Sequence, residues 1–218
     1  MRAFLLFIST LCLSTFSLFA QQGDPKAKAI LAKVTQKINT VKSIKAAFSL
    51  NLSSANNKVK ETKKGQIQLK GNKYRVSIGG QEIICDNKTV WTYVKDANEV
   101  QISSYNPSEQ TISPAKLFTN FYDKEYNYKY LGVRMSQNKK CDVIELIPIN
   151  KGKQFAKIEI LIDQSSSLII GGNVFEKNGN KIQYDVTSFV SNAPMADAIF
   201  SCLLYTSPSP LDAHETRM

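Results

Sequence analysis

Hydrophobic residues recur along this chain with two different spacings. Between residues 24 and 42 the apolar positions lie three or four residues apart, which predicts an amphipathic helix. Asp24 and Pro25 stand where an N-cap and a first helical residue belong. One face of this helix is apolar and the other is basic. The apolar positions are Ile30, Leu31, Val34, Ile38 and Val41, and the basic positions are Lys26, Lys28, Lys33, Lys37 and Lys42.

After residue 42 the spacing changes to two and remains so for most of the chain. Alternating runs such as Phe48, Leu50 and Leu52 predict β-strands. Short turn sequences, Gly71-Asn72 and Gly79-Gly80 among them, separate these runs and favour antiparallel hairpins. The pattern predicts about ten strands in a meander, which is typical of a barrel or a strongly bent sheet.

The pairing of these strands predicts which side chains share a face. If the two glycine-containing turns are two-residue loops, Leu69 pairs with Tyr74, and Ile67 and Ile83 pair with Val76 from its two sides. The same face then continues through Cys85, Val90, Thr92 and Val94, while Ile84, Trp91 and Tyr93 lie on the other face.

One segment interrupts the strands. Ser113-Pro114 repeats the cap-plus-proline signal and is followed by Leu117, Phe118 and Phe121, which predicts a short second helix. Two apolar helices either cover a concave sheet surface or complete a solid core, and the pattern allows both.

The two ends of the chain differ from its middle. Residues 1–20 combine Arg2, an apolar stretch and Ala20 before polar residues, which predicts a secretory signal peptide; a membrane anchor is the alternative. Residues 202–218 show no alternation, and their back-translation resembles a sequencing adapter, so we interpret them as a non-native tail; a genuine Pro/Ser-rich tail is the alternative. Residues 21–201 then form a single domain.

Composition argues against catalysis. The 218-residue chain has 28 Lys+Arg against 18 Asp+Glu, a formal charge of +10, and one histidine, His214, which lies in the predicted tail. Without a native histidine, phosphate-binding loop or cysteine pair at metal spacing, we expect no enzyme activity, metal site or cofactor. Cys85 and Cys141 are the cysteines left in the domain, and buried free thiols are favoured over a disulfide.

Several segments together resemble a known family. In chain order they are Lys70-Gly-Asn-Lys-Tyr-Arg-Val76, the turn and strand from Asp86 to Tyr93, Glu99-Val-Gln-Ile102 and Ser113-Pro-Ala-Lys-Leu-Phe118. This order is similar to the periplasmic outer-membrane lipoprotein carrier family (LolA-like). One departure is Lys70-Gly71-Asn72, which stands where many members have Lys-Arg-Pro, so the arginine associated there with cargo transfer has no counterpart.

The resemblance implies a fold and a function. The fold is mainly β (α+β), an incomplete antiparallel barrel of ten or eleven strands with the two helices as a lid over an apolar cavity. The cavity would hold the acyl chains of triacylated lipoproteins, which the protein, a monomer in the periplasm, carries from the inner to the outer membrane. Partners would be an inner-membrane release transporter and an outer-membrane acceptor or the membrane itself, without nucleic acid. A lipid- or lipoprotein-sensing module and a general lipid or glycolipid carrier are the alternatives. We expect the cavity to be lined by Leu31, Val34, Ile38, Phe48, Leu50, Ile67, Leu69, Tyr74, Val76, Ile83, Leu117, Phe118 and Phe121.

Overall fold

The computed structural model describes residues 24–56, 58, 60–106 and 125–202. Its helix α1 spans Pro25–Asn39. The Asp24 carboxylate caps it by accepting hydrogen bonds from the backbone N–H groups of Lys26 and Ala27, at 2.8 and 3.4 Å. The helix ends before Val41, which lies in the connection to the first strand and packs there against apolar side chains. No helix in the described ranges is long and apolar enough to cross a membrane.

Eleven antiparallel strands form a single sheet. They are β1 (Ser43–Ser53), β2 (Lys60–Lys70), β3 (Lys73–Ile78), β4 (Gln81–Cys85), β5 (Thr89–Val94), β6 (Glu99–Ser104), β7 (Tyr126–Ser136), β8 (Lys139–Pro148), β9 (Phe155–Asp163), β10 (Ile169–Glu176) and β11 (Lys181–Ser191). Their order is β6-β5-β4-β3-β2-β1-β11-β10-β9-β8-β7, so the sheet is not closed and its two edges are β6 and β7. The predicted incomplete barrel is therefore confirmed as an open eleven-stranded sheet with a helix packed on it.

The predicted register is also confirmed. Ile67 pairs with Val76 across β2 and β3, and Val76 pairs with Ile83 across β3 and β4. These residues lie on the face against which α1 packs, here called the helix face. The opposite, outer face carries Arg75, Ile84 and Trp91, as the alternation predicts.

Apolar side chains on the helix face form two clusters, one for each half of the sheet. We call β7–β11 the covered half and β1–β6 the open half. The cluster of the covered half comprises Ala27, Leu31, Val34, Tyr126, Ile144, Leu146, Phe155, Ile158, Ile160, Ile162, Ile169, Val174 and Tyr184. The cluster of the open half comprises Ile44, Ala46, Phe48, Ile67, Leu69, Tyr74, Val76 and Cys85, with Val186 from β11.

The chain after β11 crosses the outer face of the open half. Asp197 accepts hydrogen bonds from the ammonium groups of Lys70 and Lys73, at 2.6 and 2.9 Å. The Arg75 guanidinium donates to the carbonyl of Ile199 at 3.2 Å. A 3-10 helix at Asp197–Phe200 ends this segment with the Phe200 side chain buried. The segment therefore packs against β2 and β3 on the outer face of the sheet.

The two domain cysteines lie on opposite faces. Cys85 belongs to the open-half cluster on the helix face, whereas Cys141 packs with Val143, Leu161 and Ile170 on the outer face. Both are free and buried, as the sequence favoured, and burial raises the pKa of each thiol.

Some predictions concern residues outside the described ranges. The signal peptide, the second helix with Leu117, Phe118 and Phe121, and residues 203–218 of the tail all lie there and stay predictions. Cys202, the first residue assigned to the tail, is described and is buried.

Candidate functional site

The covered half has a filled interior. Ala27 and Val34 of α1 are completely buried together with Ile158 and Ile160 of β9. Leu31 is almost as deeply buried in the same cluster. Leu31 and Val34 therefore pack in the covered half, whereas we expected them to line one cavity together with Phe48, Ile67 and Val76. Within α1, Ile38 near the C-terminal end contacts both clusters.

Hydrogen bonds at the start of α1 explain this position. The backbone N–H of Asp24 donates to the carbonyl of Tyr128 in the edge strand β7, at 3.1 Å. The backbone N–H of Tyr130 donates to the Asp24 carboxylate at 3.0 Å, which lowers the pKa of that carboxyl group. The Lys26 ammonium lies 3.9 Å from the centre of the Tyr130 ring. One side chain thus caps the helix and fixes it to β7.

The open half has a buried floor and a partly accessible rim. Ile67 and Val76 are completely buried and Phe48 nearly so. Around them lies a set of apolar side chains that pack against this floor but stay partly exposed to solvent. The rim consists of Ile38, Val41, Leu50, Ile78, Ile83, Val90, Tyr105 and Phe189.

Two cavities adjoin this rim. One of about 380 Å³ lies at the C-terminal end of α1 and is lined by Ile38, Val41, Ile44 and Leu69, with the Gly71-Asn72 turn beside them. A larger cavity of about 750 Å³ lies where β3 ends at Ile78. There β2 continues toward Lys60 paired with β1 but no longer with β3, because β3 pairs only with Gly65–Lys70.

The lining of the larger cavity is mixed. Phe48, Gly65 and Ile78 are helix-face positions, whereas Ala47, Gln66 and Ser77 are paired positions of the outer face, so both faces of the sheet line this cavity. The polar members are Ser49, Lys64, Gln66, Ser77, Gln81, Lys95 and Thr187. An apolar surface next to ammonium and amide groups suits an amphiphile with a polar or anionic head group.

The described members of the predicted site divide between the two halves. Leu31 and Val34 lie in the covered half, and Ile38 and Leu50 contact both clusters. Open-half members are Phe48, Ile67, Leu69, Tyr74, Val76 and Ile83. The structure adds rim residues that the predicted site omitted, chiefly Ile78, Val90 and Tyr105. Strand alternation places Ile78 and Val90 on the right face, but Tyr105 follows β6 and carries no such signal.

The described residues offer a binding surface and little reactive chemistry. Among them, no three His, Cys, Asp or Glu side chains lie together as metal ligands would. The carboxylates of Glu145 and Glu159 both contact the Lys157 ammonium on the outer face, at 2.7 and 3.3 Å. This ion-paired arrangement lies on the face opposite the rim and is that of a structural cluster.

Comparison with known proteins gives the family. The family model described as "Outer membrane lipoprotein carrier protein LolA" matches residues 39–202. A curated relative from Actinobacillus succinogenes, named outer-membrane lipoprotein carrier protein, is 26% identical over 173 residues, covering 78% of this chain and 79% of the relative.

Solved structures share the fold. A protein from Thermus thermophilus, described as an uncharacterized conserved protein, has a TM-score of 0.56 at 14% identity, covering 80% of this chain and 92% of that one. The Mycobacterium tuberculosis lipoprotein LppX has a TM-score of 0.50 at 12% identity, covering 80% and 99%. At such identities these structures establish the fold alone. The family model, which spans well over half of the sequence, establishes that this chain belongs to the LolA family of outer-membrane lipoprotein carrier proteins.

Proposed function

We propose that this protein is a periplasmic carrier that binds the acyl chains of lipoproteins on the helix face of its open half. The observation that carries this proposal is the rim of partly exposed apolar residues, with one cavity at the end of α1 and a second, lined from both faces of the sheet, at Ile78. Membership of a family of lipoprotein carriers supports the same substrate class. In this function the protein moves each lipoprotein from the inner to the outer membrane.

The physical requirement is an apolar surface that a ligand can reach. Each acyl methylene withdrawn from water contributes about 0.8 kcal/mol, so even part of one acyl chain gains several kcal/mol on the rim. In the covered half α1 occupies the helix face and leaves a cavity of about 400 Å³ beside Leu31 and Tyr128. In the open half the rim stays partly exposed with α1 in place, and within the described residues only Ile38 and Val41 from the helix and its connection reach that cluster.

Release is part of the same proposal. Transfer to the next binding partner needs only a difference in affinity, with no covalent step and no catalytic residue, metal or cofactor. The partners are a release transporter in the inner membrane and an acceptor in the outer membrane or the membrane itself. Cleavage of residues 1–20 during export gives the periplasmic form of the protein, which acts as a monomer.

The direct test places a charge on the rim. We expect Ile78→Asp and Ile83→Asp to lower retention of a fluorescent triacylated peptide by about tenfold or more, because an unpaired carboxylate is costly in an apolar site. Ile102→Asp is the matched control, since Ile102 is an exposed isoleucine on the outer face of β6. Equal peptide retention by the rim variants and the control would contradict the proposed site.

Native mass spectrometry separates this function from its alternatives. The mature protein, purified from a periplasmic extract without detergent, should carry triacylated polypeptide. Co-purification of free phospholipid or glycolipid alone would indicate a general lipid carrier, and a stable complex with a signalling protein would indicate a sensor.

A further inference from the structure

The hairpin formed by β7 and β8 exposes apolar side chains at its tip. Leu131, Val133 and Met135 are 42%, 50% and 65% exposed. All three lie on β7, an edge strand of the sheet. Such a row of large apolar residues on an edge strand is a marker of contact with another surface.

The tip is held in a defined shape. Gln137 and Asn138 form a two-residue turn in which both have positive φ, at 50° and 59°, the arrangement of a tight hairpin. Val133 and Met135 pair with Asp142 and Lys140 of β8 and lie on the helix face. The exposed row begins next to Tyr130, the residue to which Asp24 fixes α1. It therefore extends beyond the part of β7 that the helix covers.

The same hairpin is basic. Its residues 126–148 contain Lys129, Arg134, Lys139 and Lys140 against Asp142 and Glu145. Lys139 contacts Asp163 at 3.2 Å and Arg134 reaches Glu159 at only 3.8 Å. Lys26 of α1 adds a further positive charge beside Tyr130.

The nearest acid beside the exposed row is Asp142. Its carboxylate accepts hydrogen bonds from the Tyr130 hydroxyl at 3.1 Å and from the Gln164 amide at 2.8 Å. Asp142 offsets one positive charge, and Asp163 and Glu159 offset Lys139 and Arg134 on the outer face, so among the described residues Lys26, Lys129 and Lys140 provide the remaining positive charge near the row.

This charge decides between two occupants of the edge. A second copy of the chain paired along β7 would bring Arg134 and its neighbouring lysines toward the same groups of its partner, and like charges across a strand pair are unfavourable. A bilayer with anionic head groups satisfies both features, because apolar side chains enter the interface while cationic side chains contact the phosphates.

We propose that the tip of the β7–β8 hairpin docks on the surface of an anionic phospholipid bilayer, with Val133 and Met135 entering the interface and the surrounding Lys and Arg side chains meeting the head groups. This inference rests on the proposed function, which names the membrane as a partner, and deepens it by assigning the membrane contact to the β7–β8 hairpin. Docking would bring the open half and its cargo close to a donor or acceptor bilayer. The vesicle-binding test of this proposal uses the protein without cargo.

The experiment is flotation of the mature protein, without cargo, on phosphatidylglycerol-containing vesicles and on vesicles of phosphatidylcholine alone. We expect partition onto the anionic vesicles, and we expect added salt to weaken it. Met135→Glu and Val133→Glu should each lower partition by about tenfold, because each removes one anchoring apolar side chain and adds a repelled charge.

Matched controls carry the same change of charge at exposed apolar positions elsewhere. Ile102 on β6 and Val190 on β11 are 46% and 49% exposed, so Ile102→Glu and Val190→Glu should each change partition less than about twofold. Absence of partition by the parent protein, or equal losses in control and hairpin variants, would overturn the proposal. A concentration-dependent dimer abolished by Met135→Glu would also overturn it, in favour of the second copy.

Peptide retention by the same variants distinguishes the two proposals. Met135 lies outside the open half, so Met135→Glu should retain the triacylated peptide as the parent protein does. Loss of vesicle binding with normal retention supports hairpin docking, whereas vesicle binding without peptide retention by the parent would refute the carrier function and leave membrane docking intact.

Discussion

The covered and open halves belong to the same face of one continuous sheet, yet α1 packs mainly against the covered half. In the covered half the helix contributes Ala27, Leu31 and Val34 to a filled interior. In the open half only Ile38 and Val41, at and beyond the helix end, approach a comparable set of aliphatic side chains. The residue types of the two halves are similar, so the difference arises from where the helix is fixed.

Within one domain, the covered half contributes more to stability and the open half keeps more apolar surface accessible. The covered half gains the full free energy of burying its apolar side chains, which stabilises the fold. The open half gives up part of that stabilisation, since Leu50, Ile78, Ile83 and Val90 remain partly exposed. Accessible apolar surface of this kind is what a carrier needs for a lipid ligand.

Truncation of one isoleucine in each half gives the largest expected contrast. Ile160→Ala in the covered half should lower the free energy of unfolding by about 3 kcal/mol, because it leaves a cavity in a filled interior. Ile83→Ala in the open half should lower it by about 1 kcal/mol, because that side chain is already partly hydrated. Urea unfolding measures both values, and equal losses would remove the distinction between the halves.

A glycine in each half gives a smaller contrast. A Cβ atom on Gly172 would lie 2.2 Å from the backbone carbonyl oxygen of Glu159, so we expect Gly172→Ala to cost about 2 kcal/mol of unfolding free energy. A Cβ atom on Gly65 would lie 2.6 Å from Cζ of the Phe48 ring and 2.9 Å from the Ser77 carbonyl oxygen.

The Phe48 ring is a side chain that can shift, but the Ser77 carbonyl oxygen belongs to the backbone, so Gly65→Ala should cost about 1.5 kcal/mol, less than Gly172→Ala because its nearest backbone contact is 2.9 Å rather than 2.2 Å. The same denaturation experiment checks both glycine variants. A greater loss for Gly65→Ala than for Gly172→Ala would show that the open half is the more rigidly packed of the two.

Acid should weaken the contacts that residues 192–202 make with the outer face of the open half. This is the smallest of the three expected effects. Hydrogen bonds from the Lys70 and Lys73 ammonium groups lower the pKa of Asp197 to about 2 from its usual 3.8. A carboxyl group with a depressed native pKa contributes stability above its unfolded pKa, and that contribution is lost as the pH falls from about 4 to about 2.

Protection of residues 192–202 from hydrogen exchange, corrected for the intrinsic exchange rate at each pH, should therefore fall over this range in the parent protein. Asp197→Asn lacks the charge at every pH, so its corrected protection should already be low at pH 5 and should change little down to pH 2. The measurement is most informative near pH 3, where exchange in the covered half should be the same in both proteins. A parallel rise in exchange across both halves would mean that acid unfolds the whole domain.

The local parts of this fold could be predicted from the sequence because they depend on neighbouring residues. Asp24-Pro25 determines where α1 begins, since a carboxylate cap and a proline act within one helical turn. The two-residue turns at Gly71 and Gly79 determine the pairing of Ile67, Val76 and Ile83, because a hairpin loop of known length fixes the register of its strands. The face of each predicted open-half residue followed from that register.

Relations between distant segments could not be predicted in this way. The attachment of α1 to β7 depends on a contact between Asp24 and Tyr130, which are 106 residues apart. The packing of Asp197 against Lys70 and Lys73 joins residues at least 124 positions apart. Neither contact leaves a periodic signal in the sequence. The hydrophobic pattern therefore predicted neither the position of α1 on the sheet nor the packing of residues 192–202 against β2 and β3.

The sequence pattern by itself determined the antiparallel strands, the register from β2 to β5 and the apolar character of their helix face, because alternation and turn chemistry act over a few residues; that the sheet stays open was implied by the family resemblance. The tertiary structure alone decided that Leu31 and Val34 fill one half while Ile78, Val90 and Tyr105 remain accessible in the other. It also decided that Cys85 and Cys141 lie on opposite faces. The physical reason is that burial depends on which surfaces the folded chain brings together, and a hydrophobic pattern states only which residues favour burial.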